Sequence, residues 1–151
     1  MKPNVKPSVA RISTLAIEAA NRAEATALLI RCGYRVYRPE VDFEGEDLVV
    51  RTPKGRLHGV QLKGRASVDP RRYGDRNLWM LFPSSKYRPG TSREWFLVPH
   101  DGLFKWVKQR HGHTGKWVDA WSYPYLNKAL REFLKAWEVR PVVDPTMSVE
   151  N

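Results

Sequence analysis

From about Ser13 to Arg31, the residues Leu15, Ala16, Ala19, Ala23, Ala27 and Ile30 recur at helical spacing. This spacing predicts an amphipathic helix that buries them. Ser13 is its candidate N-cap and Gly33 its candidate C′ residue. Three strand-like segments follow, at 34–39, 46–52 and 57–63. Pro39 closes the first, and Pro53-Lys54-Gly55 turns the chain between the other two. Asn77–Phe82 and Glu94–Val98 predict two further strands, joined by a polar loop with Pro83, Pro89 and Gly90. After Pro99 an amphipathic helix is expected over Asp101–Gln109, with Leu103, Phe104, Trp106 and Val107 as its apolar side. His111–Gly115 reads as a loop, and a last helix covers Leu126–Trp137 before Pro141.

Helix, three-strand meander, then mixed strands and helices is an α/β (α+β) order, with an antiparallel meander in a mixed sheet flanked by helices. No repeat or linker divides the 151 residues, so one domain is expected. Within it, 1–10 is a loose leader, 13–99 a core, 100–140 a helical part and 141–151 a tail. A hydrophobic fraction of 42% excludes wholesale disorder. No apolar run approaches the ~18 residues of a membrane span. Cys32 stands alone, which excludes an internal disulfide framework and a Cys-based zinc site. A cytoplasmic location is the expectation.

Charge changes the picture. The net charge of +10 is unevenly placed. Residues 1–39 carry a net +5, residues 51–76 a net +6 and residues 77–116 a net +5. Between the first two lies an island of net −5, made of Glu40, Asp42, Glu44, Glu46 and Asp47. Such an island is either a solvated acidic turn or a carboxylate metal site inside a phosphate-binding surface.

Alternation along 57–63 places Gly59, Gln61 and Lys63 on one face and His58, Val60 and Leu62 on the other. A lysine beside an apolar core is expensive unless paired. Asp47 begins the neighbouring strand. A three- or five-residue connection sets it opposite Gln61 or Lys63, whereas a two-residue turn sets it opposite Leu62 and reverses its face.

The run G-E-D-L-V-V, a short hairpin and then G-V-Q-L-K, after an Ala-rich helix ending in Gly-Tyr, resembles the PD-(D/E)xK nuclease core. The stretch Y-R-V-Y-R-P-E-V-D-F-E-G-E-D-L is similar to Holliday-junction-resolvase-like and uncharacterised members of that superfamily. The resemblance covers roughly residues 13–66. It implies a restriction-endonuclease-like fold and Mg²⁺- or Mn²⁺-dependent phosphodiester hydrolysis, on DNA more than RNA. It implies Asp47 and Gln61 as metal ligands and Lys63 as a catalytic residue. Gln61 stands where the family more often has Glu, and an amide oxygen brings no charge, so metal affinity is expected to fall. Some homing endonucleases related to this superfamily use Gln at this place.

The resemblance also implies a helix Glu, for which Glu18 and Glu24 compete. A strand from Tyr34 to Glu40 covers about 20 Å at ~3.3 Å per residue. That equals about 13 helical residues at ~1.5 Å each, level with residues 18–20. Glu18 is favoured, and Glu24 reads as a solvated helix face. In the implied chemistry, Asp47, Gln61, a carbonyl near Leu62 and Glu18 hold the ion, while Lys63 positions water or stabilises phosphoryl charge.

Arg51, Arg56, Arg65, Arg71, Arg72 and Arg76 are candidates to hold flanking nucleic acid, against a plain solvated basic surface. Tyr73, Tyr87 and Arg88 lie on expected polar loops where they can touch nucleic acid. His111 and His113 read as loop histidines, His58 as structural and His100 as a helix cap with Asp101. Trp79, Trp95 and Trp106 fit apolar patterns, while Trp117 and Trp121 are open between core and base stacking. A homodimer is expected by analogy with small nucleases. The rival readings are a binding module of the same fold without turnover, and a subunit whose residues 77–151 contact protein.

Overall fold

Helix α1, Thr14–Arg31, begins at Ser13, whose hydroxyl accepts the Ala16 N–H. It ends at Cys32, and Gly33 then takes φ +88°, a conformation that favours glycine. The computed structural model describes residues 12–42 and 44–141, so the expected leader and nearly all of the expected tail lie outside the described residues. Five strands form one mixed sheet: β1 Arg35–Tyr37, β2 Leu48–Arg51, β3 Leu57–Leu62, β5 Leu78–Pro83 and β6 Trp95–Pro99. They lie in the order β1-β2-β3-β5-β6, and only the β3–β5 pair is parallel. Residues 63–77 make the crossover that a parallel pair requires. This crossover holds two elements that strand and helix periodicity did not reveal, β4 Ser67–Val68 and the short helix α2 Pro70–Tyr73. β4 pairs with β7, Trp121–Ser122. Helix α3 runs His100–His111 and α4 runs Lys128–Leu134, continued by a 3-10 turn, Lys135–Trp137.

The sheet is covered on both faces. On one, Ala25 and Leu29 of α1 and the adjoining Cys32 pack on Leu48, Val50, Val60, Leu81 and Leu97. On the other, Leu103 and Val107 of α3 and Leu130 and Leu134 of α4 pack on Met80, Phe82, Phe96 and Val98. β5 touches both layers and is buried along nearly its whole length, which is why it reads as an unbroken apolar run. Each fully buried Leu or Phe contributes on the order of 1.5–3 kcal/mol.

The register of the β2–β3 hairpin meets the condition the site demands. Arg51 lies opposite Leu57, and the Thr52 N–H donates to the Arg56 carbonyl at 2.7 Å. Pro53, Lys54 and Gly55 are therefore a three-residue connection, with Gly55 at φ +86°. Leu48 lies opposite Val60, and the Asp47 N–H, one residue earlier, donates to that same Val60 carbonyl, so Asp47 stands at the end of the ladder beside Gln61.

Helix α1 buries a face other than the expected one. Leu15 is 77% exposed and Ile30 59% exposed, and Ala16, Ala19, Ala23 and Ala27 face solvent. The buried positions are Asn21, Ala25 and Leu29. Alanines stand all around this helix, so apolar periodicity selects no face strongly. A polar network makes the choice. The Arg93 side chain, 1% exposed, donates to Glu24, to the Asn21 side-chain oxygen at 2.6 Å and to the Ser85 carbonyl at 2.7 Å. The Trp95 indole N–H also donates to Glu24, at 3.1 Å. Glu24 is thus no solvated carboxylate: it ties α1 to the start of β6.

Removing one partner of a buried pair strands the other charge. Glu24→Ala is expected to lower the unfolding free energy by roughly 3 kcal/mol, and Glu18→Ala by no more than ~0.5 kcal/mol. Urea denaturation of the two variants measures the difference, and equal losses would show that the Arg93 network does not anchor α1.

Candidate active site

Asp47 sits one residue before β2 begins, and its own N–H donates to the Val60 carbonyl at 2.8 Å. Beyond this point β2 offers β3 no further backbone partner, which leaves the N–H and carbonyl of Leu62 pointing from the sheet. The Asp47 carboxylate takes the N–H, accepting it through Oδ2 at 2.9 Å. The Gln61 amide approaches the Leu62 carbonyl at 3.4 Å. Lys63 continues the parallel ladder instead, its N–H donating to the Leu81 carbonyl at 2.9 Å. The result is a strand end at which a carboxylate, an amide, a backbone carbonyl and an ammonium meet.

These groups line a cleft of about 300 Å³, closed on its other side by Glu18, Asn21 and Arg22 of α1 and by Gly64. Residues 18, 21 and 22 share one helix face, so Glu18 and Asp47 border the same space. Burial pushes the Asp47 carboxyl above its ordinary value. The hydrogen bond from Leu62 opposes that shift, Asp42 adds to it, and Lys63 and Arg22 oppose it. The Lys63 ammonium lies 5.3 Å from the centre of the Tyr73 ring, with the Arg72 guanidinium at the same distance.

Tyr73 is not a loop residue open to nucleic acid. It ends α2, is 3% exposed and packs in the core, so its ring is a support for Lys63. The ring also presses on Gly45, where an added Cβ would stand 3.0 Å from two ring carbons. Gly45 has φ +87°, so both the turn and the ring require glycine before Asp47.

Of the candidate arginines, Arg72 lines a separate small hollow that shares Lys63 with the cleft, and Arg65 lines the hollow that shares Glu18, Asn21 and Gly64 with it. Arg71 is exposed and 3.8 Å from Asp119, and Arg76 is exposed beyond α2. Arg51 and Arg56 flank the hairpin turn, on the order of 13 Å along the strands from Asp47, and do not join the cleft. Asn21 and Arg22 are cleft residues that sequence reasoning missed. Their signal was their spacing of three and four from Glu18.

The remaining candidates are structural. His58 stacks on Trp79 at 4.2 Å, and burial lowers its pKa, with Arg56 adding to that effect. His100 does not cap α3: as its first residue it is fully buried, accepts the Asp69 N–H at Nε2 and meets Asp101 through Nδ1. Asp69 is the residue that caps α2. His111 stacks on Trp121, which stacks on Trp117, and His111 bonds the Tyr123 hydroxyl. Both tryptophans are thus partly buried and packed against the core.

The donor chemistry suits a hard divalent cation. Asp47 keeps Oδ1 free, and Gln61, the Leu62 carbonyl and Glu18 add oxygens. Among the described residues, no group of three His, Cys, Asp or Glu is placed to hold a metal, so any such ion relies on neutral oxygens beside Asp47 and Glu18.

No family model matches the chain, and no curated protein matches it. A solved bacterial homing endonuclease, I-Ssp6803I, is similar in structure, with a TM-score of 0.48 and 19% sequence identity over 78% of this chain and 80% of that one. No helix among the described residues is long and apolar enough to cross a membrane.

Because the fold holds the Asp47 proton more tightly than the unfolded chain, it binds more protons between pH 3.8 and the raised value. Asp47 therefore costs stability as pH rises through that window. Asp47→Asn, which still accepts the Leu62 N–H, is expected to melt above the parent at pH 7, with the gap closing below about pH 4. Paired melting curves across pH check this, and a variant melting below the parent at pH 7 would refute the desolvation argument.

Proposed function

We propose that this protein is a metal-dependent phosphodiesterase that cuts within nucleic acid, with DNA as its substrate. The observation that carries the reading is the convergence of Asp47, Gln61, the Leu62 carbonyl and Lys63 at one strand end, facing Glu18. It is supported by the resemblance to the PD-(D/E)xK core and by the basic residues around the cleft. Asp47, Gln61, the Leu62 carbonyl and Glu18 would hold one Mg²⁺ or Mn²⁺. When bound, such an ion polarises a phosphate and lowers the pKa of coordinated water.

Lys63 has the complementary task. Braced on Tyr73, its ammonium is positioned to stabilise charge on the phosphoryl oxygens as attack proceeds. Asp47 would act in its carboxylate form. Arg22 in the cleft and Arg72 in the hollow beyond Lys63 add positive charge where the neighbouring phosphates of a strand would pass.

A nucleic-acid-binding module of the same fold, without turnover, is the second reading. The neutral Gln61 and the absence, among the described residues, of a third acidic group placed with Asp47 and Glu18 to hold a metal favour it.

Lys63→Ala and Asp47→Ala are each expected to reduce Mg²⁺- or Mn²⁺-dependent cleavage of plasmid and oligonucleotide DNA by at least ~100-fold, with DNA affinity changed by less than about threefold. Parent-level cleavage in either variant would remove the catalytic claim, and a parent without turnover that still binds DNA would establish the second reading. Gln61→Glu is expected to lower the metal concentration giving half-maximal cleavage by about tenfold, because it adds a charged ligand. A metal titration of the cleavage rate reads this directly, and an unchanged midpoint would place Gln61 outside the ion's ligands.

A further inference from the structure

Beside the cleft lies a second hollow of about 440 Å³, and the two share Glu18, Asn21 and Gly64 as their common border. The linings differ in kind. The cleft is built of oxygens and cations, whereas the second hollow presents Ile17 and the rings of Tyr87 and Tyr125, with the cations of Arg65 and Lys86. Tyr125 is 73% exposed. The Tyr87 ring has the Arg93 guanidinium 5.7 Å from its centre, so the buried Arg93 network braces it.

We infer that this hollow takes the base of an unpaired DNA nucleotide adjoining the phosphate in the cleft, an inference that rests on the phosphodiesterase reading above. The substrate is then a strand with at least one unstacked nucleotide, not uninterrupted duplex. Three features point this way: concavity of small-molecule size, an aromatic and cationic lining, and direct continuity with the cleft. In a paired duplex each base points toward the axis and stacks on both faces. None is free to enter a hollow at the side of the backbone. An unpaired base is free, and stacking on Tyr125 offsets the cost of drawing it out. Arg65 and Lys86, in the same lining, supply positive charge for the adjoining backbone, and sequence matters little, since every base presents a π-face.

The test is fluorescence anisotropy with the full chain and Ca²⁺ in place of Mg²⁺, using a labelled, fully paired DNA duplex and the same duplex with a short unpaired bulge. The bulged DNA is expected to bind about tenfold more tightly, a difference of ~1.4 kcal/mol. Tyr125→Ala is expected to bring the two within about threefold of each other, and Tyr125→Phe to keep the preference, because stacking needs the ring and not the hydroxyl. Equal affinity of the parent for both DNAs, or a full preference in Tyr125→Ala, overturns the inference. Cleavage in Mg²⁺ is followed in parallel. Bulge preference without any cleavage would reject the phosphodiesterase reading and retain the nucleotide hollow. Cleavage without bulge preference would do the reverse, and binding to neither DNA would end both.

Discussion

The hairpin between β2 and β3 is the constraint on which the rest depends. Side chains alternate with a period of two, so one residue of slip would turn Asp47 away from Gln61 and expose Leu48 and Val50. The three-residue turn at Pro53-Lys54-Gly55 prevents that slip, and the burial of Leu48, Val50 and Val60 against α1 enforces the same register. Turn geometry and core burial agree. The placing of the polar groups at the strand end and the burial of Leu48, Val50 and Val60 are therefore two consequences of one pairing.

Where β2 starts matters as much as how it pairs. Because its ladder begins at Leu48, the polar groups of Leu62 would be orphaned at the strand end, and a buried N–H without a partner is costly. The Asp47 carboxylate resolves this by accepting that N–H. The same bond fixes the carboxylate beside Gln61 and Lys63. Burial of a charge is unfavourable, and the upward shift of the Asp47 pKa records it. A structural need at a strand end has thus become a pre-arranged oxygen donor.

The opposite wall depends on a buried arginine. Arg93 joins Asn21 and Glu24 of α1 to the Ser85 carbonyl, and Trp95 adds its indole N–H to Glu24. This network rotates α1 so that Glu18, Asn21 and Arg22 border the cleft. The two carboxylates of the helix, similar in sequence, have separate tasks. Glu24 holds the helix, and Glu18 is left facing the space near Asp47. The excess positive charge is likewise divided. Arg72 and Arg65 line the two hollows that adjoin the cleft, while Arg51 and Arg56 lie at the far end of the hairpin.

The elements were legible because their signals are local. Strand alternation, the Ser13 cap, Gly33 and the Pro-Lys-Gly turn each act within a few residues, so the α+β order and the shared face of Gln61 and Lys63 followed from the sequence itself. The level of Glu18 along α1 also followed, since rise per residue is a fixed geometric quantity. What local rules left open was rotation and burial. An alanine-rich helix carries little preference for one face, and only Arg93, about seventy residues away in the chain, selects Asn21 and Ala25 over Ala19 and Ala23. Tyr73 read as polar because its neighbours are arginines, yet α2 turns its ring beneath Lys63. The sequence by itself determined which chemistry was on offer. The tertiary structure decided which groups meet, because contacts between distant segments depend on three-dimensional packing that no short-range periodicity encodes.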